Sequence, residues 1–434
     1  MEDAEADFLV IRPCRFLRGK VDLPGDKSIS HRAIILSSIA EGVSSIKGAQ
    51  RGKDLIATLS CMQSLGVKIK QEKENITVEG KGLKGLREPE NVLDCQNSGT
   101  TMRILAGVLA GQDFYSVLTG DLSLRKRPMQ RIVQPLCKMG AKIWARNGCF
   151  APLSIRGGKL QGMRHELPVA SAQVKSCLLL AGLYAEGVTR VKEPYLSRDH
   201  TERMLTYMGA KIDVDTSGIA IQGGQKLRAG SLFVPKDISA AAFFIAGAVV
   251  LEGSRVRFEG VGVNRTRCGF LEALCSMGAK VKIYNRRLVC GEEVADVEVE
   301  GGAKLEGVKV GKDKIPQLLD EIPALAVVAC FATGKTLIEG ARELRIKETD
   351  RIRALCKELT RMGASVEERE DGMLICGGSR LKGTEVNSWG DHRIAMALAI
   401  AGLCAEGETI INNARCIDVS FPGFHKVLHE VAAG

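Results

Sequence analysis

Short polar segments that could bind anions recur along the chain, each directly before a stretch of small or apolar residues. They are Asp26–Arg32, Asn97–Arg103, Ser171–Lys175, Lys236–Ser239, Asp320–Pro323 and Gly390–Arg393. If the following stretches are helices, each segment stands at a helix amino terminus, where unpaired N–H groups and the helix dipole attract negative charge. The sequence therefore predicts anion-binding positions built on one recurring local geometry.

Each segment also has an ordinary structural explanation. Asp, Ser and Asn are the preferred N-cap residues of helices. The charged run Arg345–Arg351 is typical of a solvated helix face, Arg125–Pro128 is typical of a basic surface turn, and His392 alone would usually be a packing residue. Residue types alone therefore leave capping and ligand binding open at every single segment.

The elements that would position these segments form a repeat. A small-residue helix ends near a glycine and leads into a β-branched strand; the glycines are Gly42, Gly111, Gly187, Gly253, Gly334 and Gly407, spaced 66 to 81 residues apart. An amphipathic helix follows in five copies and ends in Met-Gly-Ala or Leu-Gly, where glycine suits the left-handed residue after a helix. Repeats of this length predict six α/β units rather than a solenoid.

We expect two lobes of three units each. Boundaries near Pro24 and Pro235 give a continuous lobe of residues 24–235 and a discontinuous lobe of residues 1–23 plus 236–434, with the active site in the cleft between them. The sixth unit stops after a helix at Phe424–Val431. We expect Phe8–Arg12 to pair back and supply its missing strand.

Composition restricts the class of partner. The 434 residues carry a net charge of +10, which favours anionic partners. Lys and Arg are dispersed, without a run of five, and aromatic residues are only 4% of the chain, so a nucleic-acid partner is not expected. The predicted ligands are small molecules that carry phosphate and carboxylate.

The chain shows no signal for a membrane, a leader or a metal. Its longest apolar stretches, such as Ala240–Val250, are far shorter than the roughly 20 residues of a membrane span. The amino terminus is acidic, unlike a secretory or transit peptide. The fourteen cysteines stand singly without metal-ligand spacing, so we expect small buried thiols, a cytoplasmic location, and neither metal nor cofactor.

Five motifs resemble those of one enzyme family. Gly25–Arg32 (GDKSISHR), Asn97–Arg103 (NSGTTMR), Arg127–Met129 (RPM), Arg345–Arg351 (RIKETDR) and Gly390–Arg393 (GDHR) are similar, in order and spacing, to motifs of the 5-enolpyruvylshikimate-3-phosphate synthases. Ser171–Lys175 and Arg198–Glu202 resemble the class II branch, known for tolerating glyphosate. The resemblance implies a two-lobed inside-out α/β barrel of six βαβαββ units, three per lobe.

The resemblance also implies which residues bind each substrate. Shikimate-3-phosphate would be held by Lys27, Ser28, Arg32, Ser171, Ala172, Gln173, Arg198, Asp320 and Lys347, with Ser171, Gln173 and Arg198 at its phosphate. Phosphoenolpyruvate would be held by Lys27, Asn97, Gly99, Arg127, Gln173, Arg351 and Arg393. Arginine suits this task because its guanidinium donates two parallel hydrogen bonds to carboxylate or phosphate.

The implied reaction is addition followed by elimination, without a cofactor. The substrate 5-hydroxyl attacks C2 of the enolpyruvyl group while C3 takes a proton, and phosphate then leaves. We assign the hydroxyl proton to Asp320, the C3 proton to Glu348, and the phosphate and bridging oxygen to Lys27. A proton could be relayed through any of the three, so their division of labour stays open.

One position departs from the family pattern. Many members carry a lysine before Thr-Phe-Pro near the carboxyl end, whereas this chain has Val419 before Ser420-Phe421-Pro422. Class II members also lack that lysine, and this contact stays unassigned.

Two other functions are weighed against this resemblance. A UDP-N-acetylglucosamine enolpyruvyl transferase has the same architecture but normally carries a reactive cysteine in a first-lobe loop, and Gly111–Pro128 contains none. A non-catalytic anion or RNA-end binder would explain the charge but not Asp320 and Glu348, because carboxylates in an anion site weaken binding. We expect a monomer that binds the two substrates and is inhibited by glyphosate.

Overall fold

The computed structural model describes residues 7–72 and 75–432, so the acidic opening Met1–Ala6 lies outside the described part. The described helices are α1 (Lys27–Ser38), α2 (Lys53–Ser64), α3 (Gly99–Ala110), α4 (Gln130–Lys138), α5 (Ala172–Tyr184), α6 (His200–Tyr207), α7 (Ile238–Val250), α8 (Gly269–Ser276), α9 (Ile315–Leu318), α10 (Ile322–Phe331), α11 (Arg351–Arg361), α12 (His392–Leu403) and α13 (Phe424–Ala432). Short 3₁₀ segments cover Leu124–Lys126, Arg342–Ile346 and Ala414–Val419.

The described strands are short. They are β1 (Phe8–Ile11), β2 (Arg18–Lys20), β3 (Glu41–Lys47), β4 (Lys68–Glu72), β5 (Asn75–Lys81), β6 (Leu93–Asp94), β7 (Tyr115–Thr119), β8 (Lys142–Arg146), β9 (Phe150–Arg156), β10 (Arg164–Glu166), β11 (Val188–Lys192), β12 (Ile212–Asp215), β13 (Gly218–Gln222), β14 (Ser231–Phe233), β15 (Arg255–Gly262), β16 (Lys280–Val289), β17 (Glu292–Glu300), β18 (Lys309–Val310), β19 (Lys335–Ile338), β20 (Ser365–Arg369), β21 (Gly372–Cys376), β22 (Glu385–Asn387) and β23 (Thr409–Asn412).

The sheets repeat one topology. Among the described strands, five four-stranded sheets have the orders β14-β3-β5-β4, β6-β7-β9-β8, β10-β11-β13-β12, β2-β15-β17-β16 and β18-β19-β21-β20. In each of them the first strand runs parallel to the second, and the second runs antiparallel to the third. In chain order, β6-α3-β7-α4-β8-β9 is one βαβαββ unit. The predicted α/β fold of repeated units is confirmed.

The sixth sheet is completed by the amino terminus. Its order is β1-β23-β22, and β1 pairs antiparallel with β23 from Phe8 opposite Asn412 to Ile11 opposite Thr409. Strand β1 therefore takes the place beside β23 that β9 takes beside β7. The two strands are at opposite ends of the described chain.

Glycine accounts for the end of the amphipathic helix in each complete unit. Gly66, Gly140, Gly209, Gly278 and Gly363 all have φ between +85° and +113°. This left-handed backbone is costly for residues with a Cβ. The predicted left-handed glycine after each of these helices is confirmed.

The structure divides into two compact units, each with its own apolar core. Unit 1 comprises the described parts of Met1–Pro24, Lys236–Arg287 and Glu293–Gly434; unit 2 comprises Gly25–Pro235 and Leu288–Glu292. Helices α7, α10 and α12 lie in the unit 1 core, and α1, α3 and α5 lie in the unit 2 core. Helix α7 is buried from Ile238 to Val249, as expected for a helix that is apolar on all sides.

Small residues let the central helices pack closely. A Cβ built on Gly107 of α3 would lie 2.2 Å from the carbonyl oxygen of Cys177 in α5. No side chain fits at that distance, so glycine is required where these two helices meet. The small-residue composition that marked the repeat helices thus has a packing cause.

All fourteen cysteines are free thiols. Cys61, Cys95, Cys177, Cys330 and Cys356 are buried, as predicted for small apolar residues, but Cys137 and Cys275 are exposed. The expectation was wrong for Cys137 and Cys275 because they lie on the solvent sides of the amphipathic helices α4 and α8. Within residues 7–72 and 75–432, no helix combines the length and the apolar character that a membrane crossing requires.

Candidate active site

The polar segments do begin the six central helices, and five of them supply an N-cap side chain. The side chains of Asp26, Ser98, Ser171, Asp237 and Asp391 accept a hydrogen bond from a backbone N–H of the first turn of α1, α3, α5, α7 and α12. Capping therefore explains one residue in each of these five segments. The neighbouring Lys, Arg, Asn and Gln side chains are not used in this way and form the candidate site.

The predicted site residues divide between the two units. Unit 2 contains Lys27, Ser28, Arg32, Asn97, Gly99, Arg127, Ser171, Ala172, Gln173 and Arg198, whereas unit 1 contains Asp320, Lys347, Glu348, Arg351 and Arg393.

Lys27 opens α1 and is held by an acidic partner that the sequence did not reveal. Its ammonium forms an ion pair with Asp54 at the start of α2, and the two side chains are 14% and 6% exposed. At such low exposure the ion pair is weakly screened by solvent. Lys27 is therefore held in place before any ligand arrives.

Arg32 is a buried centre of hydrogen bonds in unit 2. Its Nε donates to Thr201 Oγ1 at 2.7 Å, its Nη1 to the Ser28 carbonyl oxygen at 2.9 Å, and its Nη2 to Ser176 Oγ at 2.8 Å. Burial lowers the pKa of Arg32 to about 10, and the positive charge of Arg198 acts in the same direction. Arg198 in turn donates to Ser28 Oγ at 3.4 Å. Three predicted ligands of shikimate-3-phosphate are thus linked.

The amide of Gln173 is oriented by a residue to which no role was assigned. Arg103 Nη1 donates to Gln173 Oε1 at 2.6 Å, and Gln173 Nε2 donates to Thr100 Oγ1 at 2.9 Å. Because a guanidinium only donates, Arg103 fixes which end of the amide is oxygen. Arg103 was visible in the Asn97–Arg103 motif, but its contact with Gln173, 70 residues away, was not.

Asn97, Gly99 and Arg127 lie together, as predicted for ligands of one substrate. Arg127 Nη2 donates to Asn97 Oδ1 at 2.6 Å, and Asn97 Nδ2 donates to Asp121 Oδ2 at 2.7 Å. A Cβ built on Gly99 would lie 3.4 Å from Arg127 Nη1 and 3.1 Å from Arg103 Nη1. Gly99 therefore leaves a narrow space beside two guanidinium groups.

In unit 1, Arg351 is surrounded by carboxylates. It is 1% exposed, and it donates from Nη2 to Glu348 at 2.6 Å, from Nε to Asp391 at 2.7 Å and from Nη1 to Asp320 at 3.3 Å. Burial works to lower the pKa of Arg351, but the three carboxylates outweigh burial and raise it above its ordinary value. Arg351 is thus positioned and charged. The sequence indicated no role for Asp391 within the Gly390–Arg393 motif, and in the structure its carboxylate holds Arg351.

Asp320 also contacts Arg393. Arg393 Nη1 donates to the Asp320 carbonyl oxygen at 3.1 Å, and its Nη2 lies 3.6 Å from the Asp320 carboxylate. One carboxylate therefore faces two guanidinium groups. This grouping unites four of the five residues that the sequence predicted in unit 1.

The fifth residue, Lys347, directly precedes Glu348, and its pKa is lower than that of an ordinary lysine. Desolvation lowers the pKa of Lys347, and the charge of Arg351 lowers it further, while Asp320 opposes both. The side chain remains partly exposed, so it can meet a ligand. A lysine in this setting loses its proton at a lower pH than an ordinary lysine.

Known proteins match this chain over nearly its whole length. A family model described as EPSP synthase (3-phosphoshikimate 1-carboxyvinyltransferase) matches residues 11–428. A curated 3-phosphoshikimate 1-carboxyvinyltransferase of Alkaliphilus metalliredigens is 53% identical over 425 residues, which cover 98% of this chain and 100% of that protein. The enzyme of the same name from Geobacter sulfurreducens is 51% identical over 421 residues, covering 97% and 98% of the two chains.

Solved structures give the same result. The EPSP synthase of Acinetobacter baumannii superimposes with a TM-score of 0.87 at 43% identity, covering 98% of each chain. The enolpyruvyl transferase NikO from Streptomyces tendae superimposes with a TM-score of 0.79 over 98% of this chain and 97% of its own, but at 17% identity it shares only the fold. The family model and these relatives cover nearly the whole length of the chain, and the chain belongs to the EPSP synthase family.

Proposed function

We propose that this chain transfers the enolpyruvyl group of phosphoenolpyruvate to the 5-hydroxyl of shikimate-3-phosphate and releases phosphate, a step of the shikimate pathway. The observation that carries the proposal is the grouping of Asp320 and Glu348 around Arg351. The reaction needs groups that move protons and cations that hold an anionic donor. This grouping supplies both within one unit.

The first half of the reaction is an addition. The 5-hydroxyl oxygen of shikimate-3-phosphate forms a bond to C2 of phosphoenolpyruvate, and Asp320 accepts the proton of that hydroxyl. Glu348 delivers a proton to C3, which turns the methylene into a methyl group. Arg351 and Arg393 hold the donor anion, and their existing contacts with Asp320 keep that carboxylate in reach of the same ligand.

The second half is an elimination. The bond between C2 and the phosphate oxygen breaks, and the proton that Asp320 took from the 5-hydroxyl passes to the departing phosphate. A C3 proton returns to Glu348, so the carbon–carbon double bond is restored. Lys27 neutralises the departing phosphate, and Asp54 keeps its ammonium in position. Asp320 and Glu348 both end the cycle in the protonation state in which they began it.

Substrate binding is assigned to the remaining residues. Arg127, Asn97 and Gly99 bind phosphoenolpyruvate, because Arg127 is nearly buried and already oriented by Asn97. For shikimate-3-phosphate we assign Ser28, Arg32, Ser171, Ala172, Gln173, Arg198 and Lys347. Three of them, Ser28, Arg32 and Arg198, are linked by hydrogen bonds. Charge-assisted contacts of this kind are the strong ones in recognition of phosphate and carboxylate.

We also propose that the enzyme is a monomer and that it acts in the cytoplasm. Fourteen free thiols suit a reducing compartment. Glyphosate is proposed to compete at the phosphoenolpyruvate site, in the narrow space beside Gly99.

A phosphate-release assay tests the proposal. Purified protein with phosphoenolpyruvate receives shikimate-3-phosphate, UDP-N-acetylglucosamine or no acceptor, and the product mass is recorded. We expect release only with shikimate-3-phosphate, together with its enolpyruvyl ether. Release only with the nucleotide sugar would favour the other transferase, and binding of both anions without release would favour the non-catalytic binder.

A further inference from the structure

A buried cluster of three charges lies behind the proposed phosphate ligands of unit 2. Lys175 of α5 has a fully buried side chain, and its Nζ lies 2.9 Å from Glu193 Oε2 and 2.8 Å from Glu202 Oε1. The two glutamate side chains are 4% and 8% exposed. The mechanism proposed above does not use any of these three residues.

Stability alone is a weak reason for such a cluster. Removing three charges from water is costly, and well-packed apolar residues often stabilise a fold as much as a buried ion pair does. Desolvation by itself would lower the pKa of Lys175, but Glu202 and Glu193 outweigh it and raise the pKa. The lysine therefore stays charged and keeps both carboxylates in place.

Glu193 joins two backbone segments through its carboxylate. Its Oε1 accepts the backbone N–H of Ser171 at 3.1 Å and the hydroxyl of Ser197 at 2.6 Å. Its Oε2 accepts the backbone N–H of Ser197 at 3.4 Å as well as the Lys175 contact. Ser171 is the N-cap of α5, and Ser197 directly precedes Arg198.

The cluster is also connected to Arg32, through helix α6. Thr201 and Glu202 are neighbours on α6: Thr201 Oγ1 accepts from Arg32 Nε at 2.7 Å, while Glu202 binds Lys175. Ser176, next to Lys175, lies 2.6 Å from Thr201 through the two hydroxyls. The cluster thus ties α1, α5 and α6 together at their polar ends.

We infer that Glu193 is a positioning residue for phosphate recognition: it holds Ser171 and the Ser197–Arg198 segment in one fixed relation, so that both meet the same phosphate group. The inference rests on the proposed assignment of Ser171 and Arg198 to the phosphate of shikimate-3-phosphate. Ligands fixed in advance bind more tightly because less conformational freedom is lost on binding. Lys175 and Glu202 serve Glu193 by neutralising it and by anchoring α6.

The test compares affinities for shikimate-3-phosphate and shikimate, measured by titration calorimetry, because their ratio isolates the phosphate. In Glu193→Ala we expect the ratio to fall about tenfold or more, the scale of a lost hydrogen-bond network to a charged group. The affinity for shikimate itself should change less than about threefold, because the substitution moves only residues that bind the phosphate.

The matched control is Glu166→Ala, which removes the same charge from a glutamate of unit 2 whose side chain is 67% exposed. Exposed ion pairs contribute little, so its ratio should stay within about threefold of wild type. Thermal unfolding of both variants reports on folding. If Glu193→Ala does not fold, Glu193→Gln replaces it. Its amide nitrogen cannot accept the Ser197 N–H or pair with Lys175 as Oε2 does, so the ratio should fall by at least about threefold.

The outcomes separate this inference from the proposed function. A wild-type protein that neither binds nor turns over shikimate-3-phosphate would overturn the proposed function. A wild type that does both, with an unchanged ratio in the Glu193 variant, would overturn only the positioning role. An equal fall in Glu166→Ala would also overturn it, because the effect would then follow from the lost negative charge and not from the contacts of Glu193.

Discussion

The Glu348 carboxylate accepts a 2.6 Å hydrogen bond from Nη2 of Arg351, three residues further along the chain. The same guanidinium contacts Asp320 through Nη1 at 3.3 Å. Two carboxylates with different proposed tasks are therefore oriented by one buried cation. Their roles can be separated by substitutions that keep the shape of each side chain.

Glu348→Gln should lower kcat by about 10²- to 10⁴-fold, the usual contribution of a proton-transfer group. The amide keeps an oxygen that Arg351 can bind, so the Michaelis constants should change little. Steady-state kinetics with both substrates gives the result, and Glu370→Gln, an exposed glutamate 84% accessible at its side chain, is the control. More than about a tenth of wild-type turnover would exclude Glu348 from proton transfer.

Asp320→Asn should also lower kcat by about 10²-fold or more, because the amide cannot accept the hydroxyl proton. Unlike most active-site substitutions, it should not weaken the binding of phosphoenolpyruvate. The Asp320 carboxylate faces Arg351 and Arg393, and removing its charge leaves both cations more available to an anion. Equilibrium binding should therefore show unchanged or tighter phosphoenolpyruvate. Weaker binding together with retained turnover would reverse the assignment.

Arg127→Ala should raise KM for phosphoenolpyruvate by about 10- to 150-fold, the equivalent of one lost charge-assisted contact. The Arg127 guanidinium is 7% exposed at the residue level and is oriented by Asn97, so it is ready to bind before the ligand arrives. Lys126→Ala removes the same charge from an exposed neighbour and should have little effect. Equal effects of the two substitutions would indicate general electrostatic attraction instead of a direct contact.

The fold was predictable where its causes are local. Repeat length, small-residue helices and the glycines that follow the amphipathic helices all follow from neighbouring residues, and the structure confirms them. The left-handed backbone at Gly66 and Gly363 is one such case. Helix starts were equally visible, because Asp26 and Asp391 cap the helices that they precede.

Partners distant along the chain were not predictable. Asp54 holds Lys27, Asp391 holds Arg351 from 40 residues away, and Arg103 holds Gln173 from 70. Nothing in a local pattern indicates which acidic or basic residue the fold will bring to a given side chain. The grouping of Leu288–Glu292 with unit 2, away from its neighbours in sequence, had no local signal either.

The lowered pKa of Lys347 predicts a dependence on pH. The protonated ammonium carries the charge that attracts the substrate oxygen or phosphate, and this charge is lost as pH rises through the lowered pKa. As pH increases, KM for shikimate-3-phosphate should therefore begin to rise before the pH reaches about 10.4, where an ordinary lysine titrates. In Lys347→Arg the guanidinium stays charged, so this rise should move to higher pH. A pH profile that is identical in both proteins would show that another group controls it.

Gly99→Ala should weaken glyphosate more than phosphoenolpyruvate. A Cβ at this position would lie 3.1 Å from Arg103 Nη1 and 3.4 Å from Arg127 Nη1, so the methyl group fits only if one of these flexible side chains moves. An inhibitor longer than the substrate needs more of this space, and a steric penalty that differs between two ligands changes specificity. We expect the wild type to be measurably inhibited and the ratio of the inhibition constant to KM to rise in the variant. The control is Gly158→Ala, where a Cβ meets nothing within 4 Å. Both constants are measured at fixed shikimate-3-phosphate, and a ratio that stays the same in Gly99→Ala would mean that the space beside Gly99 does not discriminate between the two ligands.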